Sequence, residues 1–99
     1  MVNPKLKDDM NHQLVEALLS LENEEETYEF LEDLCTIGEI KAFGQRLEVA
    51  RMLDAHHTYD EIVERTGAST ATISRVKHAL NYGADGYKTI ISRLKRKNS

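Results

Sequence analysis

The chain has a single proline, a single cysteine and no tryptophan. Pro4 stands near the N-terminus, so no later residue forces a helix to break. Cys35 has no second cysteine, which excludes an internal disulfide and fits a reducing cytoplasm. No apolar run approaches the ~20 residues that cross a bilayer. The opening MVNPKLKDDM has no apolar signal core, so no signal peptide is expected and a cytoplasmic location is. There is no glycine-rich phosphate loop, no Ser-x-x-Lys pair and no nucleophile elbow. The histidines lack metal-ligand spacing: His56 and His57 are adjacent and diverge, while His12 and His78 stand alone. The expectation is a non-enzyme with no metal and no cofactor.

Charge is abundant and unevenly spread. The net charge of −4 combines residues 1–66, with six basic and sixteen acidic side chains, and residues 67–99, with seven basic and one acidic. The first part is therefore −10 and the second +6. The basic part holds Arg75, Lys77, Lys88, Arg93, Lys95, Arg96 and Lys97. A local basic region on an acidic chain suits contact with a polyanion. The SRLKRKNS end reads equally as a solvated, frayed terminus.

No stretch alternates apolar and polar residues at period two, whereas helical spacing recurs throughout. Met10, Leu14, Ala17, Leu18 and Leu21 outline a first helix. Asn23 caps a second that opens with Glu24-Glu25-Glu26 and carries Phe30, Leu31 and Leu34 inward. Thr36-Ile37-Gly38-Glu39 is a capping box for a third helix reaching about Ala55. That helix has two apolar rows, Ile40, Phe43, Leu47, Ala50 and Leu53 on one and Ala42, Val49 and Met52 on the other. Two rows need cover on two sides, which points to the core of a dimer. Thr58 to Glu61 is another capping box, for a helix ending at Thr66 before Gly67. Ser69 or Thr70 caps the next helix, to about Asn81, and Asn81-Tyr82-Gly83 reads as a turn. Asp85 caps a last helix from Gly86 to about Arg96, with Tyr87, Ile90, Ile91 and Leu94 as its apolar side. The fold class expected is all-α, six helices in a single domain over residues 1–99.

Residues 58–81 fit a helix-turn-helix. Ile62 and Val63 point inward from its first helix, Gly67 makes the turn, and Ile73 and Val76 hold the second helix against the first. Ser69, Thr70, Ala71, Thr72 and Ser74 then occupy the exposed start of the second helix. Short side chains let a helix approach the major groove, where threonine methyls and alanine meet thymine methyls and hydroxyls reach base edges or phosphates. Arg75 and Lys77, with His78, can add backbone contacts, which give affinity rather than specificity. The expected partner is double-stranded DNA. The alternative is a helical interaction module that engages another protein through its acidic N-terminal half, with a helix-turn-helix that binds no DNA.

The stretches FLEDLCTIGEIKAFGQRLEVARML and GASTATISR, at their observed separation, resemble the Trp repressor family and within it the Trp repressor-like proteins of Gram-positive bacteria, the Bacillus type. The resemblance runs from Phe30 to Leu94. It implies an intertwined, all-helical homodimer with one recognition helix per subunit. It also implies an effector pocket between two arginines, here Arg46 and Arg75, with a threonine backbone from the partner subunit at the position of Thr36. Two positions depart from the family pattern: Val76 replaces a glycine and Ala79 replaces a serine. Valine fills space meant for an indole and alanine removes a polar contact, so a small-molecule effector, if one exists, is not expected to be tryptophan. Ion pairing of the two arginines with Glu39, Glu48 or another acidic group is the structural alternative.

Overall fold

The computed structural model describes residues 1–97, and its regular structure is helical throughout. A short 3₁₀ turn, Pro4–Leu6, is followed by α1 (Asp9–Leu19), α2 (Glu24–Leu34), α3 (Ile37–Asp54), α4 (Tyr59–Thr66), α5 (Thr70–Tyr82) and α6 (Gly86–Lys97). The 3₁₀ turn is not foreseen in the sequence; Asn3 caps it and proline occupies its first position. No helix among the described residues is long and apolar enough to cross a membrane.

The helix starts follow side-chain chemistry. Asp8, Asn23, Thr58 and Ser69 each take an extended backbone and accept a bond from an amide in the first turn, at α1, α2, α4 and α5 respectively. Thr36 and Glu39 exchange two bonds at the start of α3, at 2.8 and 3.1 Å. The capping boxes at Thr36 and Thr58 therefore form as the spacing predicts.

Three expectations at helix ends need correction. α1 stops at Leu19 rather than reaching Leu21, because the Ser20 hydroxyl turns back onto the Ala17 carbonyl at 2.7 Å. α5 continues through Tyr82, so Asn81 and Tyr82 are helical and only Gly83 turns the chain. Asp85 does not cap α6 through its side chain, which lies 3.9 Å from the Lys88 ammonium. Its backbone carbonyl receives the Thr89 amide, and the residue itself is left-handed at φ 68°. His56, at φ 66°, is the other non-glycine residue in that region among the described residues. It stops α3 where a glycine is the easier choice.

The chain forms two compact units, Val2–Ile40 and the region from Lys41 onward. The second unit has a continuous apolar core of Val49, Ala50 and Met52 from α3, Ile62 from α4, Ala68 from the turn, Ile73, Val76 and Leu80 from α5, and Ile91 from α6. α5 is the middle member and packs against both α4 and α6. Lys95 of α6 reaches Asp54 at the end of α3, at 2.7 Å. The pair is exposed, so its contribution is ~1 kcal/mol at most.

The first unit is different. No residue between Val2 and Ile40 is buried. Met10 is 81% exposed, Leu19 74% and Ile37 71%, while Val15, Tyr28 and Leu34 are at least half exposed. Well-capped helices of this length are marginal alone and depend on burying an apolar face. Within this unit that face is at most partly covered, as at Phe30 and Leu31. In α3 the early row member Phe43 is likewise exposed, whereas Val49, Ala50 and Met52 further along are buried.

Gly83 ends α5 at a close approach of backbone to backbone. A Cβ built there would lie 2.3 Å from the Ala79 carbonyl oxygen. Gly83→Ala is expected to destabilise the fold by about 1–3 kcal/mol, the scale of overpacking at a rigid site. His56→Gly should instead stabilise by about 1 kcal/mol, by relieving a left-handed residue that carries a side chain. Urea unfolding of the two variants against wild type checks both signs.

Candidate nucleic-acid interface

The α4–α5 hairpin is built around a few fixed contacts. Gly67 adopts φ 70° and gives its amide to the Val63 carbonyl at 2.9 Å, closing α4. The Thr66 hydroxyl donates to the Ile62 carbonyl at 2.7 Å and accepts from the Ala68 amide at 3.1 Å, which ties both sides of the turn. The Thr66 carbonyl, left free by the helix end, receives the Gln45 side-chain amide from α3 at 3.1 Å. Ile62 and Ile73 are fully enclosed, Ala68 and Val76 nearly so. Of the inward pair expected on α4, only Ile62 is buried; Val63 is 38% exposed.

This packing sorts the side chains of α5. Ile73, Val76 and Leu80 face the core, leaving Ser69, Thr70, Ala71, Ser74, Arg75 and Lys77 exposed. Ser69 caps the helix: its hydroxyl accepts the Thr72 amide and donates to the Thr72 hydroxyl, each at 3.1 Å. Thr72 is half-buried, so it helps to shape the helix start as well as standing near it. Lys77 sits over the Tyr59 ring, 5.7 Å from its centre, a cation–π contact between α5 and α4. The outcome is a helix N-terminus with free amides and small exposed side chains, the geometry that tolerates close approach to a nucleic-acid groove.

Arg46 and Arg75 both line one open cavity of about 350 Å³, with Gln45, Thr72, Val76 and Ala79. Tyr87 of α6 completes the wall. The sequence reading places Tyr87 only on an apolar face; nothing in its spacing marks it as a lining residue. Thr36, which the resemblance assigns to the partner subunit's side of such a pocket, pairs with Glu39 at the start of α3. Among the described residues neither arginine pairs with Glu39 or Glu48, contrary to the structural alternative. Glu39 is held by Thr36 in the capping box, and the Arg46 guanidinium lies over the Phe43 ring at 5.7 Å instead. Val76 is 4% exposed at the cavity wall, so its side chain takes up room at this surface.

The capping carboxylates carry a pH signature. The Glu61 carboxyl is held below its ordinary 4.5, first by the Thr58 amide, then by the Thr58 hydroxyl, and then by His57, whose Nδ1 lies 3.5 Å away. Glu39 is lowered by the Thr36 amide and hydroxyl in the same order. A carboxyl lowered in the folded state adds stability that is present above its unfolded pKa and is lost as pH falls through its folded one. Acidification below about pH 4.5 should therefore loosen α4. Glu61→Gln should flatten that part of the stability profile, and Thr58→Ala should return the Glu61 carboxyl toward its ordinary value. Carbon-13 titration of Glu61 with parallel thermal melts measures both.

Residues 10–95 match the Trp repressor protein family. YerC of Bacillus subtilis strain 168 is 55% identical over 91 residues, covering 92% of this chain and 88% of that protein. A crystal structure of a TrpR-like protein from Eubacterium eligens superposes with a TM-score of 0.91 at 56% identity, covering 94% of this chain and 96% of that one. A candidate Trp repressor from Staphylococcus aureus superposes at 0.90 with 47% identity, covering 96% and 95%. The match takes in both helices of the hairpin and both arginines of the cavity, and the chain belongs to the Trp repressor family.

Proposed function

We propose that this protein is a sequence-specific DNA-binding transcription regulator, a repressor, that acts as a cytoplasmic homodimer. The observation that carries the reading is the exposed start of α5, where Ser69, Thr70, Ala71 and Ser74 surround a capped helix N-terminus braced by a buried hairpin core. Family membership supports a DNA-binding regulator. In a two-fold dimer the recognition helices enter successive major grooves roughly 34 Å apart and read a near-palindromic site. The small residues contact base edges and methyls, while Lys77 and Arg75 strengthen binding at the phosphates.

The exposed apolar face of Val2–Ile40 supports the dimer. A set of helices with no buried residue and with Leu6, Met10, Leu14, Leu18, Leu19, Tyr28 and Leu34 exposed is stable only when another surface covers it. A second copy of the chain supplies that surface. Arg46 and Arg75 remain available to an anionic or zwitterionic effector, and Val76 with Ala79 disfavours tryptophan in that role.

Genomic fragments retained by the purified protein, without added ligand and near physiological salt, should be enriched in a short near-palindrome. Ala71→Asp places a charge on an exposed position of the proposed groove face. It should weaken operator binding by roughly a thousandfold, collapsing it to the non-specific level, with unchanged circular dichroism. Retention without sequence enrichment in every condition, with amino acids and metabolites added, would instead favour an interaction module working through the acidic N-terminal half.

Sedimentation of the wild type should give a dimer. Leu14→Asp and Phe43→Asp, which charge exposed apolar positions, should shift it toward monomer and lower the melting temperature together. A wild-type monomer at micromolar concentration contradicts the dimer.

A further inference from the structure

A second cavity of about 310 Å³ opens where α3, α4 and α6 meet. Arg51 comes from α3, Arg65 from the last turn of α4 and Lys95 from α6. His57 stands at the rim, and Met52 and Ile91, 7% and 3% exposed, lie beneath as an apolar floor. Glu48 is the one lining carboxylate. At 3.6 residues per turn, the α3 side chains facing this cavity are roughly 120° around the helix from those facing the Arg46–Arg75 cavity. The two are separate places.

The charges do not balance internally. Lys95 is satisfied by Asp54 at 2.7 Å, and His57 turns to Glu61 at 3.5 Å. Among the described residues the side chains of Arg51 and Arg65 have neither an ion pair nor a hydrogen bond. Two arginines without side-chain partners, from different helices, thus line one cavity with a single carboxylate, Glu48, and with Met52 and Ile91, on a molecule whose net charge is −4. General attraction of anions to an acidic protein does not produce such a cluster; the arrangement is local. Guanidinium offers planar, paired donors that match phosphate or carboxylate oxygens.

We propose that this cavity binds an organic phosphate, its oxygens held by Arg51 and Arg65 and its apolar part resting on Met52 and Ile91. The same chemistry can come from a free organic phosphate or from a phosphate of the DNA backbone, and the experiment separates the two.

Phenyl phosphate is titrated into the full-length protein at constant ionic strength while the Met52 and Ile91 methyl resonances are followed by NMR. Saturable shifts are expected at both methyls, with inorganic phosphate binding more weakly. Arg51→Gln with Arg65→Gln, and Arg65→Gln alone, should each weaken binding, the pair by at least roughly tenfold, as expected where a planar guanidinium fork recognises phosphate. Arg46→Gln should leave it unchanged. Linear, non-saturating shifts, shifts centred on the Arg46–Arg75 cavity, or equal binding by a folded double variant would overturn the proposal. The salt dependence of duplex DNA binding identifies the source. If the site holds a backbone phosphate, the double variant lowers the log–log slope by about two. If it holds a free organic phosphate, the slope is unchanged while phenyl phosphate still binds.

Discussion

The exposed face of α5 depends on the burial of Ile62 and Ile73 in one apolar cluster on either side of the Gly67 turn. Both isoleucines are fully enclosed, and the turn between them is closed by bonds from Gly67, Thr66 and Ala68. With both enclosed, the rotation of α5 is set as well. Val76 and Leu80 follow Ile73 inward, and the small residues at the helix start face out. Gln45 then pins the turn to α3 through the Thr66 carbonyl. The position of the exposed face is thus a consequence of buried packing, which is stiffer than any bond made at the surface.

Much of this is legible in residue order because the signals are local. Capping boxes at Thr36 and Thr58, an Asn cap at 23 and a left-handed Gly67 depend on neighbours within four positions, and the structure contains each of them. The convergence of Arg46 and Arg75 on one cavity is legible only through the family resemblance. Ends governed by longer reach or subtler competition are less legible. Asp85 has the composition of a cap, yet its backbone is left-handed and its carboxylate turns to Lys88. Gln45 acts across 21 residues and Tyr87 shares a wall with Arg46 of α3, and helical periodicity says nothing about which distant element a side chain will meet. The alternative of arginine ion pairs fails for a similar reason: Glu39 has a nearer partner in Thr36, and Phe43 is one turn from Arg46.

Two kinds of stabilisation meet in this chain. From Lys41 onward, a compact apolar cluster draws on four helices. From Val2 to Ile40, helix ends are well satisfied but nothing is enclosed. Local bonds define where those helices begin and end, but they do not replace buried area as a driving force. The acidic first turn of α2 illustrates the balance: Glu24, Glu25 and Glu26 favour the helix start while adding mutual repulsion.

Ala79 is a shared wall. It lines the cavity of Arg46 and Arg75, and on its other side it borders a hollow with Leu47, Ala84 and Ile90. Its carbonyl is also the group that Gly83 approaches and bonds at 2.9 Å. The bend that terminates α5 is therefore mechanically continuous with the shape of both hollows. Substitution at the bend would deform a cavity it never touches, so the dimensions of that cavity can drift in evolution through a residue outside it.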